Sequence, residues 1–140
     1  DAYAQLDWAL AERWRLGAGL RHSQVRFASR DRYVRPGNPD DSGALRYSRT
    51  TPVLGLLFAG GEDWSVYANA GTGFETPTFA ELAYRSDGGS GLNEALRPAR
   101  SRHVELGARG ATAALRWDVA LFQARNEDEL FVLSSLGGRS

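Results

Sequence analysis

Apolar residues recur at every second position, in runs too long for the strands of an ordinary soluble sheet. A period of two restricts the chain to β structure with one oily face and one polar face. In the first run Ala2, Ala4, Leu6, Trp8 and Leu10 share a side, and Tyr3, Gln5, Asp7 and Ala9 take the other. The second covers residues 14–27 and sets Trp14, Leu16, Ala18 and Leu20 against Arg13, Arg15, Gly17, Gly19 and Arg21. Near His22 the parity slips, because Val25 and Phe27 fall on the odd side. A bulge, or a strand that has left an apolar zone, would produce that change.

The third run, residues 45–59, places Pro52, Leu54, Leu56 and Phe58 together. Pro52 has no N–H for a ladder, so an irregular point is expected there. The fourth, residues 64–74, alternates Trp64, Val66, Ala68 and Ala70 with Ser65, Tyr67, Asn69 and Gly71. A fifth over residues 101–110 has Val104, Leu106 and Ala108 against His103, Glu105, Gly107 and Arg109. In the sixth, Leu115, Trp117, Val119 and Leu121 oppose Arg116 and Asp118; after a reversal at 126–128 a seventh is expected to start at Glu129.

The connections alternate in length. Those at 11–13, 60–63 and 111–113 are short, whereas 29–44 and 75–100 are long and turn-rich. Within the second long connection Thr78-x-x-Glu81 has the form of a capping box, and Thr76-Pro77 offers a cap followed by a first-turn proline. A helical turn is therefore expected over residues 78–84. In an up-and-down antiparallel sheet, short turns gather at one end and long loops at the other, as in a membrane β-barrel. Runs of about ten to fifteen residues exceed the usual five or six of soluble strands and suit a tilted membrane crossing. Trp8, Trp14, Trp64 and Trp117 all fall on the apolar side, three of them beside a short turn, which is the placement of an interfacial girdle.

Composition narrows the rest. The chain has 140 residues, no cysteine and zero net charge, so disulfides and thiolate metal sites are excluded and nucleic acid has no electrostatic claim. A mean hydropathy of −0.41 is polar, which a barrel tolerates because only alternate positions need be apolar. Arg15, Arg21, Tyr67, Asn69, Glu105, Arg109, Arg116 and Asp118 would line a lumen; in a soluble β-sandwich the same residues would be the solvated face. The fold class expected is all-β, antiparallel and up-and-down, a partial segment of a large transmembrane β-barrel. Runs already under way at Ala2 and starting at Glu129 read as a piece of a longer protein.

Residues 66–107 resemble the TonB-dependent outer-membrane receptors. The elements that carry the resemblance are Tyr67-Ala68, Gly71, Gly73-Phe74, Pro77-Thr78 and Glu81-Leu82, followed by Gly91, Asn93, Leu96, Pro98, Ser101, Glu105 and Gly107. The resemblance implies a bacterial outer-membrane barrel of about 22 strands, with this chain one segment of about seven. It further implies an N-terminal plug domain outside this sequence, energy coupling through TonB, surrounding outer-membrane lipid, and import of a large scarce nutrient. A ferric siderophore is the cargo most in keeping with it; pyrroloquinoline quinone and cobalamin are alternatives within the family.

No catalytic set emerges. His22 and His103 lie on different runs without further metal ligands, and there is no Ser/His/Asp arrangement or Gly-x-Ser-x-Gly elbow. Neither an enzyme nor a resident cofactor is expected. Ligand recognition is expected on the long loops, from Arg30, Arg32, Tyr33 and Arg35 in the first and Phe79, Tyr84, Arg85 and Arg97 in the second. Arginine and aromatic side chains suit an anionic ligand through charge-assisted hydrogen bonds and stacking. The same residues could instead pair loop with loop or meet lipopolysaccharide phosphates.

Overall fold

A computed structural model describes residues 1–85 and 89–130. Six strands form one sheet in the order of the sequence: β1 (Ala2–Ala11), β2 (Trp14–Ser29), β3 (Gly43–Ala59), β4 (Trp64–Glu75), β5 (Ala99–Ala111) and β6 (Arg116–Glu127). Lengths of 10 to 17 residues match or exceed the nine to eleven or so that a tilted crossing needs. The expected seventh strand lies largely outside the described residues. Its first two positions, Glu129 and Leu130, carry no strand, and β6 runs through Glu127 to Asp128 at φ 59°, past the start of the expected reversal.

Register fixes which side chains share a face. Leu6 pairs with Ala18 and Trp8 with Leu16; Leu56 pairs with Ala68 and Phe58 with Val66; Leu106 pairs with Leu121 and Ala108 with Val119. Every one of these rungs joins apolar to apolar, as the alternation requires. The β1–β2 register is unbroken from Ala9↔Arg15 to Ala2↔His22, its one shift lying at Ala9/Ala11. Beyond His22 the pairing with β1 has ended, while β2 continues as strand to Ser29 with Val25 and Phe27 on its covered side. The β3–β4 register ends at Val53↔Gly71, one residue short of Pro52, consistent with the missing proline N–H.

The contacts divide into two compact units. One contains residues 1–23, 49–74 and 100–127, which hold the short turns and the strand stretches that flank them. Neighbouring turns are tied laterally, Ala59 N–H donating to the Arg13 carbonyl at 2.8 Å and Ala111 N–H to the Asp63 carbonyl at 2.9 Å. Trp14, Phe58 and Trp64 form an aromatic chain beside them, with centroid separations of 4.8 and 5.9 Å. Among the described residues nothing covers the oily face: Leu106 is 55% exposed and Leu121 75%. That is a surface built to meet something other than water. No helix among the described residues is long and apolar enough to cross a membrane.

The other unit, which among the described residues holds 24–48, 75–85, 89–99 and 128–130, contains the buried large apolar side chains. Leu82 is fully buried and Leu92 nearly so. From Ser23 to Arg30, and again along Asp41–Thr50, coverage alternates strictly, with Val25, Phe27, Leu45 and Tyr47 on the covered side. Phe27 meets Tyr47 edge-on at 6.2 Å and Phe79 at 6.4 Å.

Candidate functional site

Two groups of residues could carry function. The first is a polar cluster on the non-oily face of β4, β5 and β6. The Tyr67 ring fills the place where Gly107 would carry a side chain, with the Glu105 carboxylate beside its hydroxyl. Arg109 lies 5.9 Å from the Tyr67 centroid and its Nε donates to Ser65 Oγ at 3.4 Å. Asp118 is the cross-strand partner of Arg109. Two glycines nearer the loops are overlain in the same way, Gly71 by the His103 ring and Gly73 by Ser101. Motif residues Gly73, Glu105 and Gly107 thus share this polar face.

The second group is the folded pair of long loops. α1 (Phe79–Leu82) is one turn, capped by Thr78: its Oγ1 accepts from Glu81 N–H at 3.3 Å, and Glu81 Oε2 accepts from Thr78 N–H at 2.7 Å. Thr76 is not the cap. The reciprocal pair needs the carboxylate three residues after the cap, and Glu81 satisfies that spacing only for Thr78. Pro77 precedes the cap and is buried. Asn93 then closes the loop, donating from its backbone to the Leu82 carbonyl at 2.6 Å and from Nδ2 to the Tyr84 carbonyl at 3.0 Å. The motif residues Pro77, Thr78, Glu81, Leu82 and Asn93 therefore build a loop fold. Phe74 and Pro98 are half-covered at the loop's two ends.

This loop rests on the first one. Leu92 lies 3.6 Å from where Gly43 would carry a Cβ, Ser90 Oγ donates to Asp41 at 2.7 Å, and Tyr47 Oη donates to the Leu96 carbonyl at 2.9 Å. The first loop is organised by Asp31, which accepts from Tyr33 N–H at 2.8 Å and donates from its own N–H to Ser42 Oγ at 2.9 Å. At its tip Arg35 and Asn38 exchange backbone hydrogen bonds of 3.0 and 2.8 Å across Pro36-Gly37. Gly37 holds φ 84° there, as the third residue of a type II turn demands. The Ser42 hydroxyl and N–H both stabilise the Asp40 carboxylate, holding its pKa below the usual value.

Of the expected ligand residues, the structure brings Arg35 onto the Tyr33 ring at 4.5 Å. Tyr33 is 59% exposed, and Arg30, Arg32 and Arg97 are exposed too. Phe79 sits on Phe27 with half its surface open, and Tyr84 is exposed with its carbonyl held by Asn93. Arg85 is half-buried and lines a hollow with Asp40, Asp41, Ser90, Asn93 and Glu94. Asp31, Tyr47 and Leu92 do much of the ordering and were not singled out by sequence. Leu92 had a signal, being a large apolar residue in a Gly/Ser-rich stretch. Among the described residues no group of three His, Asp or Glu side chains is placed to hold a metal ion.

With this geometry in place, comparison with known proteins is decisive. The profile of the family described as TonB dependent receptor-like, β-barrel, matches residues 1–140. The probable TonB-dependent receptor BfrD of Bordetella pertussis is 32% identical over 72% of this chain and 14% of its own length. The pesticin receptor of Yersinia pestis is 30% identical over 91% of this chain and 18% of its own. Among solved structures, the alcaligin outer-membrane receptor FauA of Bordetella pertussis superposes with a TM-score of 0.61 at 24% identity, covering 97% of this chain and 22% of that one. The chain belongs to the TonB-dependent receptor β-barrel family and is a segment of an outer-membrane barrel of a Gram-negative bacterium. It spans less than a fifth of the length of the curated relatives it matches. These relatives are receptors rather than enzymes, and a soluble β-sandwich is not favoured.

Proposed function

We propose that residues 1–140 form part of the barrel wall and two ligand-facing loops of an active importer for a large scarce nutrient, a ferric siderophore. The observation that carries this reading is the loop pair. It is ordered by its own hydrogen bonds and buried leucines, yet leaves Tyr33, Arg35 and Phe79 open to solvent. A passive wall has no need of folded loops that stack an arginine on a tyrosine. Such a surface suits an anionic, aromatic-rich chelate. The polar face with Tyr67, Glu105 and Arg109 would meet the receptor's plug domain, and inner-membrane energy would reach the plug through TonB. The barrel segment contributes binding and containment, with no bond made or broken.

A deletion strain grown under iron limitation with defined ferric siderophores, with haem, and separately with pyrroloquinoline quinone or cobalamin as the limiting nutrient tests this. Loss of growth on one siderophore, restored by the wild-type gene, is the expected result. Normal growth on every iron source, with a defect confined to pyrroloquinoline quinone or cobalamin, would overturn the siderophore assignment while keeping the family.

A further inference from the structure

The oily face of β5 and β6 carries one rung that neither the strand pattern nor nutrient uptake explains. From the turn upward, the rungs on this face are Gly110↔Trp117, Ala108↔Val119, Leu106↔Leu121, Val104↔Gln123, Arg102↔Arg125 and Arg100↔Glu127. The intervening residues His103 and Ser101 lie over Gly71 and Gly73 on the opposite face. Arg102 and Arg125 therefore stand on the same side as Leu106 and Leu121. Like charges directly opposite on antiparallel strands repel. Both arginines are exposed, and among the described residues neither has a carboxylate within ion-pairing distance.

Their height along the strand says what they meet. Eight residues separate Trp117 from Arg125, about 27 Å along an antiparallel strand. At the tilt usual for such barrels this becomes roughly 19–22 Å along the membrane normal, against an apolar band about 25 Å tall. With Trp117 at the turn-side boundary, the two guanidinium groups reach the opposite one, beside the start of β5 where the long loop returns. That is headgroup level in the leaflet facing outward, and in this membrane that leaflet is built from phosphorylated glycolipid.

We propose that Arg102 and Arg125 form a two-arginine clamp for a phosphate of that glycolipid. Each guanidinium offers a planar pair of N–H donors, and phosphate oxygens accept two such pairs at once. An anion between them turns the repulsive rung into a bridged one. The clamp is continuous with the oily surface below it, so the same lipid supplies acyl chains to Leu106 and Leu121 and a phosphate to the arginines.

The test uses the full-length receptor, delipidated in detergent, compared with its R102Q/R125Q variant. Thermal midpoints are measured with diphosphoryl lipid A, with dephosphorylated lipid A and with inorganic phosphate, and lipid retention is read by native mass spectrometry. Diphosphoryl lipid A should raise the wild-type midpoint by several degrees and the variant's by less than half as much. Without lipid the variant should be at least as stable as wild type, because the repulsion is gone. If the double variant does not fold, R125Q alone supports the same comparison. Equal lipid-induced shifts in wild type and variant would overturn the clamp, as would a full wild-type shift produced by dephosphorylated lipid A or by inorganic phosphate.

Discussion

The Tyr67 ring occupies the space that a side chain on Gly107 of the neighbouring strand would need. This places Glu105 and Arg109 around one aromatic ring, so the wall's polar cluster depends on an absent methyl group.

Gly107→Ala should therefore push Tyr67 off its seat and destabilise the barrel by about 1–3 kcal/mol, the usual cost of overfilling a close contact. The shift would be read as a lower temperature for loss of heat-modifiable migration on a gel. Adding Tyr67→Ala should return most of the loss, since the clash has then gone. An uncorrected double variant would place the constraint elsewhere.

The loop pair should fail independently of the wall. Leu82→Ala removes a fully buried side chain and should cost the loop about 2–5 kcal/mol; Thr78→Ala removes the cap and should cost about 1 kcal/mol. Hydrogen exchange of residues 78–96 should accelerate in both, more in Leu82→Ala. The temperature of barrel unfolding should stay near wild type.

Asp40 gives the first loop a dependence on acid. Its carboxylate is stabilised by the Ser42 hydroxyl and N–H, which lowers its folded-state pKa. A depressed carboxyl contributes order above its unfolded pKa and loses it as pH falls through the folded value. Ser42→Ala should move the Asp40 titration up toward 3.8, measured by carboxyl carbon NMR, with no change near neutrality.

The segment by itself should not be a soluble domain. Every residue of β1 and β6 is exposed, and among the described residues these two strands are the edges of a sheet with an uncovered oily face. Expressed alone it should precipitate or associate in buffer and remain dispersed only in detergent. A monodisperse monomer without detergent would contradict this.

Much of this was legible in the sequence because side-chain period and strand faces are the same fact. Trp8, Leu56 and Leu121 announce their side of the sheet by parity alone, and Thr78 with Glu81 announces its cap by spacing. Sequence could not choose Thr78 over Thr76, nor show that Val25 and Phe27 beyond His22 lie on a covered side. The contacts that order the loops were silent as well. Tyr47 reaches Leu96, and Ser90 reaches Asp41, across 49 residues, and no local period encodes a meeting between segments so far apart in sequence. The loop's arginines and aromatics were visible as a composition; that Arg35 lies on Tyr33 while Phe79 lies on Phe27 required the fold.

The central claim is that one face of these strands meets lipid and the other does not. Nitroxide labels placed singly at residues 117 to 122 of the full-length receptor, in outer-membrane vesicles, test it directly through collision with oxygen. The account predicts high oxygen accessibility at positions 117, 119 and 121 and low accessibility at 118, 120 and 122, a period of two. Uniform accessibility along the strand, or the reverse alternation, would contradict it.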